Sequence, residues 1–249
     1  MQNDVHQIIF RDDEENRLEG YIAKATESVR NHFANAVVTI WDLDGARAFL
    51  RSHFPRVVLK SFDCLNPYAY KGDLFKYCLL QVAGGWYVDA GVRMLKTPST
   101  VLSQDGNLTK LVLFRSTGPW DAPWNCSLAL TYASRGQGFF SNAIEEVVMN
   151  CKREHYGQNP LSPTMTAFGR SLAINRIQDG VLLGQVVDVV GQEYQRGFLL
   201  DADGIIAARK PRAGDQIEVG DVSYIGISGG NSYVDLWTRR EVYRKTRFR

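Results

Sequence analysis

An acid and a base at helical spacing, followed by a second acid after a short strand, form the part of this chain best suited to chemistry. Asp73 and Lys76 are three residues apart, so on a helix they lie on one face. Asp89 directly follows Trp86-Tyr87-Val88, whose aromatic and β-branched side chains favour a strand. Carboxylates and an ammonium group can bind hydroxyls, phosphate oxygens or metal ions. We therefore expect these three residues to form a ligand site.

Small residues mark the turns on either side of that strand. Gly84-Gly85 is expected to end the helix that begins at Asp73, because glycine adopts a positive φ without penalty. The loop after Asp89 opens with Ala90-Gly91, which leaves room for a ligand beside the backbone. Ligands of open α/β sheets bind at the carboxyl ends of the strands, so this loop is the expected position of the site.

The rest of the chain alternates between strand and helix patterns and then becomes rich in short strands. We predict strands at 5–10, 36–41, 57–59, 111–114 and 128–132, and helices at 14–33, 45–53 and 139–151, with another opened by 159–163. After residue 181 short strands and turns follow, including a hairpin over 198–207 that turns at Asp203-Gly204. The pattern predicts one α/β domain with a central mixed, mostly parallel sheet flanked by helices, and a β-rich C-terminal extension.

Composition and charge exclude several classes of protein. The 249 residues are 45% hydrophobic and carry a net charge of +2, which argues against nucleic acid as the main partner. Six basic residues between 239 and 249 favour a solvated terminal helix, with weak contact to anionic lipid as the alternative. The chain contains no apolar run of the about 20 residues that span a membrane.

The cysteines and the N-terminus favour a cytoplasmic protein. The four cysteines show no Cys-x-x-Cys spacing and the histidines are scattered, so no structural zinc site is expected. They are expected to be reduced cysteines of a core. A charged run from 11 to 15 is unlike a signal peptide.

Residues 72 to 91 resemble the sugar-binding region, with its Asp-x-Asp motif, of retaining glycosyltransferases of the GT-A fold. Capsular polysaccharide sugar transferases, yeast-type mannosyltransferases of glycosyltransferase family 32 and the glucosylating domains of clostridial toxins share this region. Their pattern runs Ser-Asp-x-x-Arg-Tyr, a leucine-rich helix, and then Gly-Gly-x-Tyr-x-Asp-x-Asp. This chain has Gly72-Asp73-Leu74-Phe75-Lys76-Tyr77 and later Gly84-Gly85-Trp86-Tyr87-Val88-Asp89-Ala90-Gly91.

Two further segments resemble the same family. Val5-His6-Gln7-Ile8-Ile9-Phe10 is similar to its opening strand, Ile-His-Gln-x-Trp/Phe, and Thr39-Ile40-Trp41-Asp42 to its next strand. Asn159-Pro160-Leu161-Ser162-Pro163 loosely resembles the family's Thr-Gly-Pro helix start. The clear resemblance covers about the first hundred residues, the usual extent of a nucleotide-binding half.

The resemblance implies an enzyme, a GT-A-type nucleotide-diphospho-sugar transferase that occupies residues 1–249 as one domain. Residues 1–110 would be the nucleotide-sugar-binding half, and 111–249 the acceptor half with the C-terminal extension. The implied activity is hexosyl transfer, with retention, from a UDP- or GDP-sugar to a glycan or lipid-linked acceptor of surface polysaccharide.

The resemblance also implies roles for particular residues. The catalytic residues would be Asp89, Asp73 and Lys76. The nucleotide-sugar contacts would be Gln7, Ile9, Phe10, Trp41, Asp73, Lys76, Gly85, Tyr87 and Trp237. A divalent cation, Mn²⁺ or Mg²⁺, would bind to Asp89 with help from Asn231 and Asp235.

The sequence departs from the family at two positions. Gly91 stands where the family has the second acid of Asp-x-Asp, its direct metal ligand. Lys76 stands where arginine is usual and keeps the charge without the planar, bidentate fork. These departures favour an alternative, a degenerate, non-catalytic module that binds a nucleotide sugar or a partner protein. A nucleotide-sugar hydrolase is a third interpretation.

Several of these residues also have plainer interpretations. The plainer interpretation of Asp73 and Lys76 is a surface ion pair, and that of Asp89 is a turn cap. Ile9-Phe10 fits the apolar end of a buried strand and, by the resemblance, a platform for the base, and these two interpretations are compatible. His6 is expected to be structural. The segment 228–237 is either a loop that closes over a ligand or a glycine turn into a final helix capped by Ser232 or Asn231. Asp201-Ala202-Asp203 spells Asp-x-Asp, but a hairpin turn explains it better.

Overall fold

The computed structural model describes residues 4–11, 20–98, 109–115, 126–175, 180–189, 196–200, 203–209, 231–245 and 248. The strands within these ranges are β1 (Val5–Ile8), β2 (Val38–Trp41), β3 (Gly85–Val88), β4 (Val92–Met94), β5 (Leu111–Arg115), β6 (Cys126–Ala133), β7 (Val181–Asp188), β8 (Arg196–Leu200) and β9 (Gly204–Arg209). The helices there are α1 (Gly20–His32), α2 (Leu43–His53), α3 (Arg56–Cys64), α4 (Tyr68–Val82), α5 (Gly138–Arg153), α6 (Met165–Asn175) and α7 (Tyr233–Thr238).

All nine of these strands belong to one mixed sheet, in the order β2-β1-β3-β6-β5-β7-β8-β9-β4. β1 pairs in parallel with β2 and β3, and β5 with β7. The other five pairings between described strands are antiparallel. The α/β class and the mixed sheet are therefore confirmed, with parallel pairing within β2-β1-β3 and between β5 and β7 and antiparallel pairing between the other described strands. The predicted hairpin shows why, since β8 and β9 are joined by a short turn that can connect only antiparallel strands.

Two expectations for the first hundred residues are corrected. The predicted strand at 57–59 lies in α3, where Val58 and Phe62 are buried one helical turn apart, and short apolar runs do not separate a strand from a helix. The helix expected to begin at Asp73 begins at Tyr68, directly after Pro67. Asp73 therefore lies in the second turn of α4.

The glycine pair after α4 has a positive φ and lies too close to other backbone atoms to carry a side chain. The φ angles of Gly84 and Gly85 are +68° and +93°, in the left-handed region that side chains disfavour. A Cβ on Gly85 would lie 2.4 Å from the carbonyl oxygen of Asp4, and one on Gly84 would lie 2.7 Å from the backbone nitrogen of Arg135. Both glycines are therefore required by the way the chain passes from α4 into β3.

The sheet separates two hydrophobic cores. On one side, α2 to α6 pack against the sheet, and Ile8 and Tyr87 point into this core. The second core contains side chains of the strands themselves together with Val29 of α1 and Phe33, and Val5 and Trp86 belong to it. Because alternate residues of a strand point to opposite faces, Tyr87 and Asp89 point toward the same helices. Among the described residues, no helix combines the length and the apolar character of a membrane span.

Replacing Gly85 with alanine is expected to lower the free energy of unfolding by more than about 1 kcal/mol, because the added Cβ meets the Asp4 carbonyl at a positive φ. Gly72→Ala is the matched control, since it lies within α4 and its Cβ would meet nothing within 4 Å. That control should gain about 0.5–1 kcal/mol from helix propensity. Urea denaturation measures both, and equal stability of the two variants would contradict this account of the turn.

Candidate active site

The three predicted catalytic residues meet where α4 crosses the end of β3. The ammonium nitrogen Nζ of Lys76 lies 3.7 Å from Oδ1 of Asp73 and 3.7 Å from Oδ1 of Asp89. The three side chains are only 6%, 13% and 15% exposed for Lys76, Asp73 and Asp89, respectively. The helical spacing of the first two and the strand position of the third therefore place them together, as the sequence predicts.

Tyr87 completes the surroundings of this ammonium group. Its hydroxyl donates a hydrogen bond of 2.7 Å to Oδ1 of Asp89, which fixes that carboxylate. Its ring lies 4.2 Å from Nζ of Lys76, within the range of a cation–π interaction. Tyr87 therefore binds both members of the ion pair, through its hydroxyl and through its ring.

Two lysines of α4 are buried, and their donors are used differently. Nζ of Lys71 donates 2.6 Å to the carbonyl oxygen of Phe62 at the end of α3, and burial lowers the pKa of Lys71 to about 8. Lys76 makes no hydrogen bond within the described part of the chain, only its two ion pairs and the ring contact. A buried ammonium with open N–H donors is suited to bind ligand oxygens.

Thr164 belongs to this cluster and was missed by the sequence reasoning. Its hydroxyl donates 2.8 Å to Oδ2 of Asp73, and its carbonyl oxygen accepts from the hydroxyl of Tyr77 at 3.3 Å. Thr164 is fully buried and directly follows the segment 159–163 that loosely resembles the family's helix start. Its position after this segment was the one sequence feature that could have pointed to Thr164. No spacing in the sequence links it to Asp73, which lies 91 positions earlier.

The cluster has a defined charge and a defined chemistry. Among the described residues, two carboxylates and one ammonium give the cluster a formal charge of −1, and the hydroxyls of Thr164 and Tyr87 donate hydrogen bonds to Asp73 and Asp89, respectively. Carboxylates accept hydrogen bonds from hydroxyl groups, and the ammonium donates to an anionic or carbonyl oxygen. The arrangement is therefore suited to a ligand that carries both hydroxyls and phosphate.

Trp41 lies at the same edge of the sheet as Asp89. It ends β2, which runs parallel to β1 and β3, so the carboxyl ends of these strands share one edge. Its ring packs against Phe49 and Phe75 at centroid distances of 5.4 Å each and remains partly exposed. The exposed part is an aromatic surface beside the site.

The hydrogen bonds of His6 define its protonation. Its Nδ1 accepts from the indole N–H of Trp41 at 3.4 Å, so Nε2 carries the proton and donates to the carbonyl oxygen of Gly84 at 3.1 Å. Burial lowers the pKa of His6, which favours the neutral ring. His6 is therefore a structural histidine, as expected.

Ile9 and Phe10 lie in the core rather than on a surface open to a base. Each is 5% exposed. Phe10 packs edge-on against Phe62 and Tyr68, whereas Ile9 belongs to the cluster under α1. The interpretation as the apolar end of a buried strand therefore fits both residues. Gln7 is fully buried, and its amide oxygen and nitrogen have no hydrogen-bond partner within the described residues.

The C-terminal residues expected near the site have structural contacts. Oδ1 of Asn231 accepts 2.6 Å from the backbone N–H of Tyr68 and so caps α4. Ser232 caps α7, accepting from the backbone N–H of Asp235. The indole N–H of Trp237 donates 2.8 Å to the carbonyl oxygen of Tyr156. The capping interpretation therefore describes residues 231–237, whereas residues 228–230 lie outside the described part of the chain and the loop that closes over a ligand stays a prediction.

The described side chains do not fit a divalent-cation site. They include no group of three or more His, Cys, Asp or Glu residues that could hold a metal ion. Asp89 faces the Lys76 ammonium at 3.7 Å, and a positive charge at that distance repels a bound dication. Gly91 supplies no side-chain oxygen, and the oxygen of Asn231 already accepts a hydrogen bond.

Comparison with known proteins gives distant structural likenesses. No protein-family model and no curated protein matches the chain. The PaToxG glycosyltransferase is similar over 70% of this chain and 69% of its own, with 14% identity and a TM-score of 0.49. A glycosyltransferase involved in the glycosylation of the major capsid of PBCV-1 is similar over 96% of this chain and 98% of its own, with 11% identity and a TM-score of 0.36. Likenesses this distant carry no weight for fold or activity.

Replacing Lys76 with methionine is expected to lower the free energy of unfolding by about 3 kcal/mol, because it removes a buried ammonium that forms ion pairs with the mostly buried carboxylates of Asp73 and Asp89. Lys152→Met, on the exposed face of α5, is the control and should change stability by less than about 0.5 kcal/mol. Adding Asp89→Asn to Lys76→Met should restore part of the loss, since one uncompensated charge is removed. A Lys76→Met variant as stable as the control would show that the ion pairs contribute nothing to folding.

Proposed function

We propose that the protein is a glycosyltransferase of the GT-A type, which moves a sugar from a UDP- or GDP-sugar to a glycan or lipid-linked acceptor of surface polysaccharide. The observation that carries the proposal is the Lys76 ammonium between Asp73 and Asp89 at the edge where β2, β1 and β3 end. That edge is where open α/β sheets bind nucleotides. The resemblance of the same residues to the sugar-binding region of that family supports the same activity.

In this proposal each side chain binds one part of the donor. Asp73 and Asp89 accept hydrogen bonds from sugar hydroxyls, and Lys76 donates to a phosphate oxygen of the diphosphate. Trp41 stacks on the base, an interaction of about 1–3 kcal/mol. Lys76 then stabilises the charge that develops on the departing diphosphate, as positioned donors do in other transferases.

The proposed transfer retains the configuration of the sugar. The bond from the anomeric carbon to the diphosphate oxygen breaks, and a bond from that carbon to the acceptor oxygen forms on the same face. The proton of the acceptor hydroxyl passes to the departing phosphate. Asp73 and Asp89 both border the Lys76 ammonium, so in this scheme neither serves as the base and the phosphate takes that part.

The proposed location is the cytoplasm. All four cysteines are free thiols, and Cys64, Cys78 and Cys151 are buried. Unpaired core cysteines are typical of a reducing compartment, which supports this location.

A second candidate is a module that binds a nucleotide sugar or a partner protein without turnover. It is favoured by Gly91 in place of an acid and by Lys76 in place of arginine. The two functions differ in one observable: the enzyme releases nucleoside diphosphate at a rate that an acceptor increases, and the module binds the donor without release.

Asp73→Asn is expected to weaken binding of the nucleotide sugar about tenfold or more, because hydrogen bonds to a charged group are worth about 1.5–3 kcal/mol. Binding of the free nucleoside diphosphate should change less, since Asp73 contacts the sugar. Asparagine keeps the oxygen that accepts from Thr164, so the fold is retained. A thermal-shift screen of UDP- and GDP-sugars selects the ligand, and calorimetry measures both affinities.

Asp203→Asn is the matched control, because Asp203 belongs to the other Asp-x-Asp sequence and lies at the turn before β9. It should leave both affinities unchanged within a few-fold. Equal losses for sugar and diphosphate in Asp73→Asn would remove Asp73 from the sugar pocket. Loss of donor binding in a folded Asp203→Asn variant would place the site at the hairpin instead.

A further inference from the structure

We propose that the ammonium group of Lys76 supplies the positive charge that a divalent cation would otherwise supply, so that a nucleoside diphosphate binds this protein without a metal ion. The inference rests on the proposed function, since it concerns the same site. It follows from three observations on the described residues: where the ammonium lies, which donors it has left, and what occupies position 91.

The ammonium already lies beside one oxygen of the Asp89 carboxylate. Nζ of Lys76 lies 3.7 Å from Oδ1 of Asp89, and that same oxygen accepts the hydroxyl of Tyr87 at 2.7 Å. A Mg²⁺ or Mn²⁺ ion bound to this carboxylate sits at about 2.1 Å from its oxygen, and therefore close to the ammonium. A metal ion and an ammonium group this close inside a buried site repel each other strongly. Because the Lys76 ammonium is part of the chain, the metal ion is the one that is disfavoured.

The ammonium also has the donors that a diphosphate requires. Its contacts to Asp73 and Asp89 are ion pairs at 3.7 Å, longer than hydrogen bonds, and its third contact is the ring of Tyr87. Each carboxylate receives a hydrogen bond from a neutral hydroxyl, from Thr164 for Asp73 and from Tyr87 for Asp89. These bonds disperse the negative charge around Lys76, whose N–H groups make no hydrogen bond within the described part of the chain.

Position 91 shows that steric demand does not explain the missing acid. A Cβ on Gly91 would meet no atom of the described residues within 4 Å, and the φ of Gly91 lies outside the left-handed region. Its carbonyl oxygen accepts a hydrogen bond from Tyr21 at 3.2 Å, which any residue could accept. The backbone at position 91 therefore permits an aspartate, and the absence of a third carboxylate beside Asp73 and Asp89 is not imposed by the backbone. The chain thus has no acid at position 91, and Lys76 supplies the positive charge that a metal ion would otherwise supply.

The first experiment measures binding of UDP and of GDP by calorimetry, with about 1 mM EDTA or about 1 mM MnCl₂. The wild-type affinity for the nucleotide that binds should agree within about threefold between the two conditions. Lys76→Met should lose tenfold or more in EDTA, and Lys76→Arg, which keeps the charge, should retain binding there. Circular dichroism confirms that each variant is folded. Wild-type binding that disappears in EDTA would overturn the inference.

The second experiment titrates Mn²⁺ alone and follows the free ion by electron paramagnetic resonance. The wild type should bind Mn²⁺ no better than the Asp89→Asn variant. The double variant Lys76→Met, Gly91→Asp should bind Mn²⁺ more tightly than the wild type and more tightly than Asp89→Asn. Tight wild-type binding that Asp89→Asn abolishes would overturn the inference and leave the proposed function standing. Failure of both nucleotides to bind under either condition would remove the proposed function, and the inference with it.

Discussion

The structure of this site depends on one buried ammonium group and the two carboxylates beside it. Burying a charge costs several kcal/mol unless partners of opposite charge and hydrogen bonds compensate it. Lys76 is 6% exposed, and Asp73 lies three residues before it on the same helix, so α4 must lie where Asp89 at the end of β3 also reaches the ammonium. The position of α4 against β3 is therefore an electrostatic requirement as well as a matter of core packing.

The contacts at both ends of α4 hold that position. Asn231, near the end of the chain, caps its first turn, and Gly84-Gly85 turns the chain back into β3 at the other end. The hydroxyl of Tyr70 reaches the carbonyl oxygen of Pro160 at 2.5 Å, and Thr164 reaches Asp73. Segments far apart in sequence thus keep α4 in register with the strand that carries Asp89.

The local spacing of residues was enough to predict that Asp73, Lys76 and Asp89 lie together. It could not predict the contacts that residues distant in sequence make with α4. The three-residue spacing of Asp73 and Lys76, the glycine pair and the strand before Asp89 are local signals with a physical cause. Thr164 and Asn231 reach α4 only through the tertiary fold, so no periodicity reveals them. Likewise the sequence could not distinguish the helix at 57–59 from a strand, nor the burial of Phe10 from an exposed ring, because both depend on what packs against them.

A crystal structure of the protein with UDP or GDP, whichever binds, tests the central claim most directly, because it locates the diphosphate relative to the cluster. If Lys76 binds the diphosphate as proposed, a phosphate oxygen lies about 3 Å from Nζ of Lys76, the base lies beside Trp41, and the diphosphate lies at the carboxyl ends of β1 and β3. A diphosphate bound at any other place on the protein, with Lys76 still paired only to Asp73 and Asp89, would contradict it.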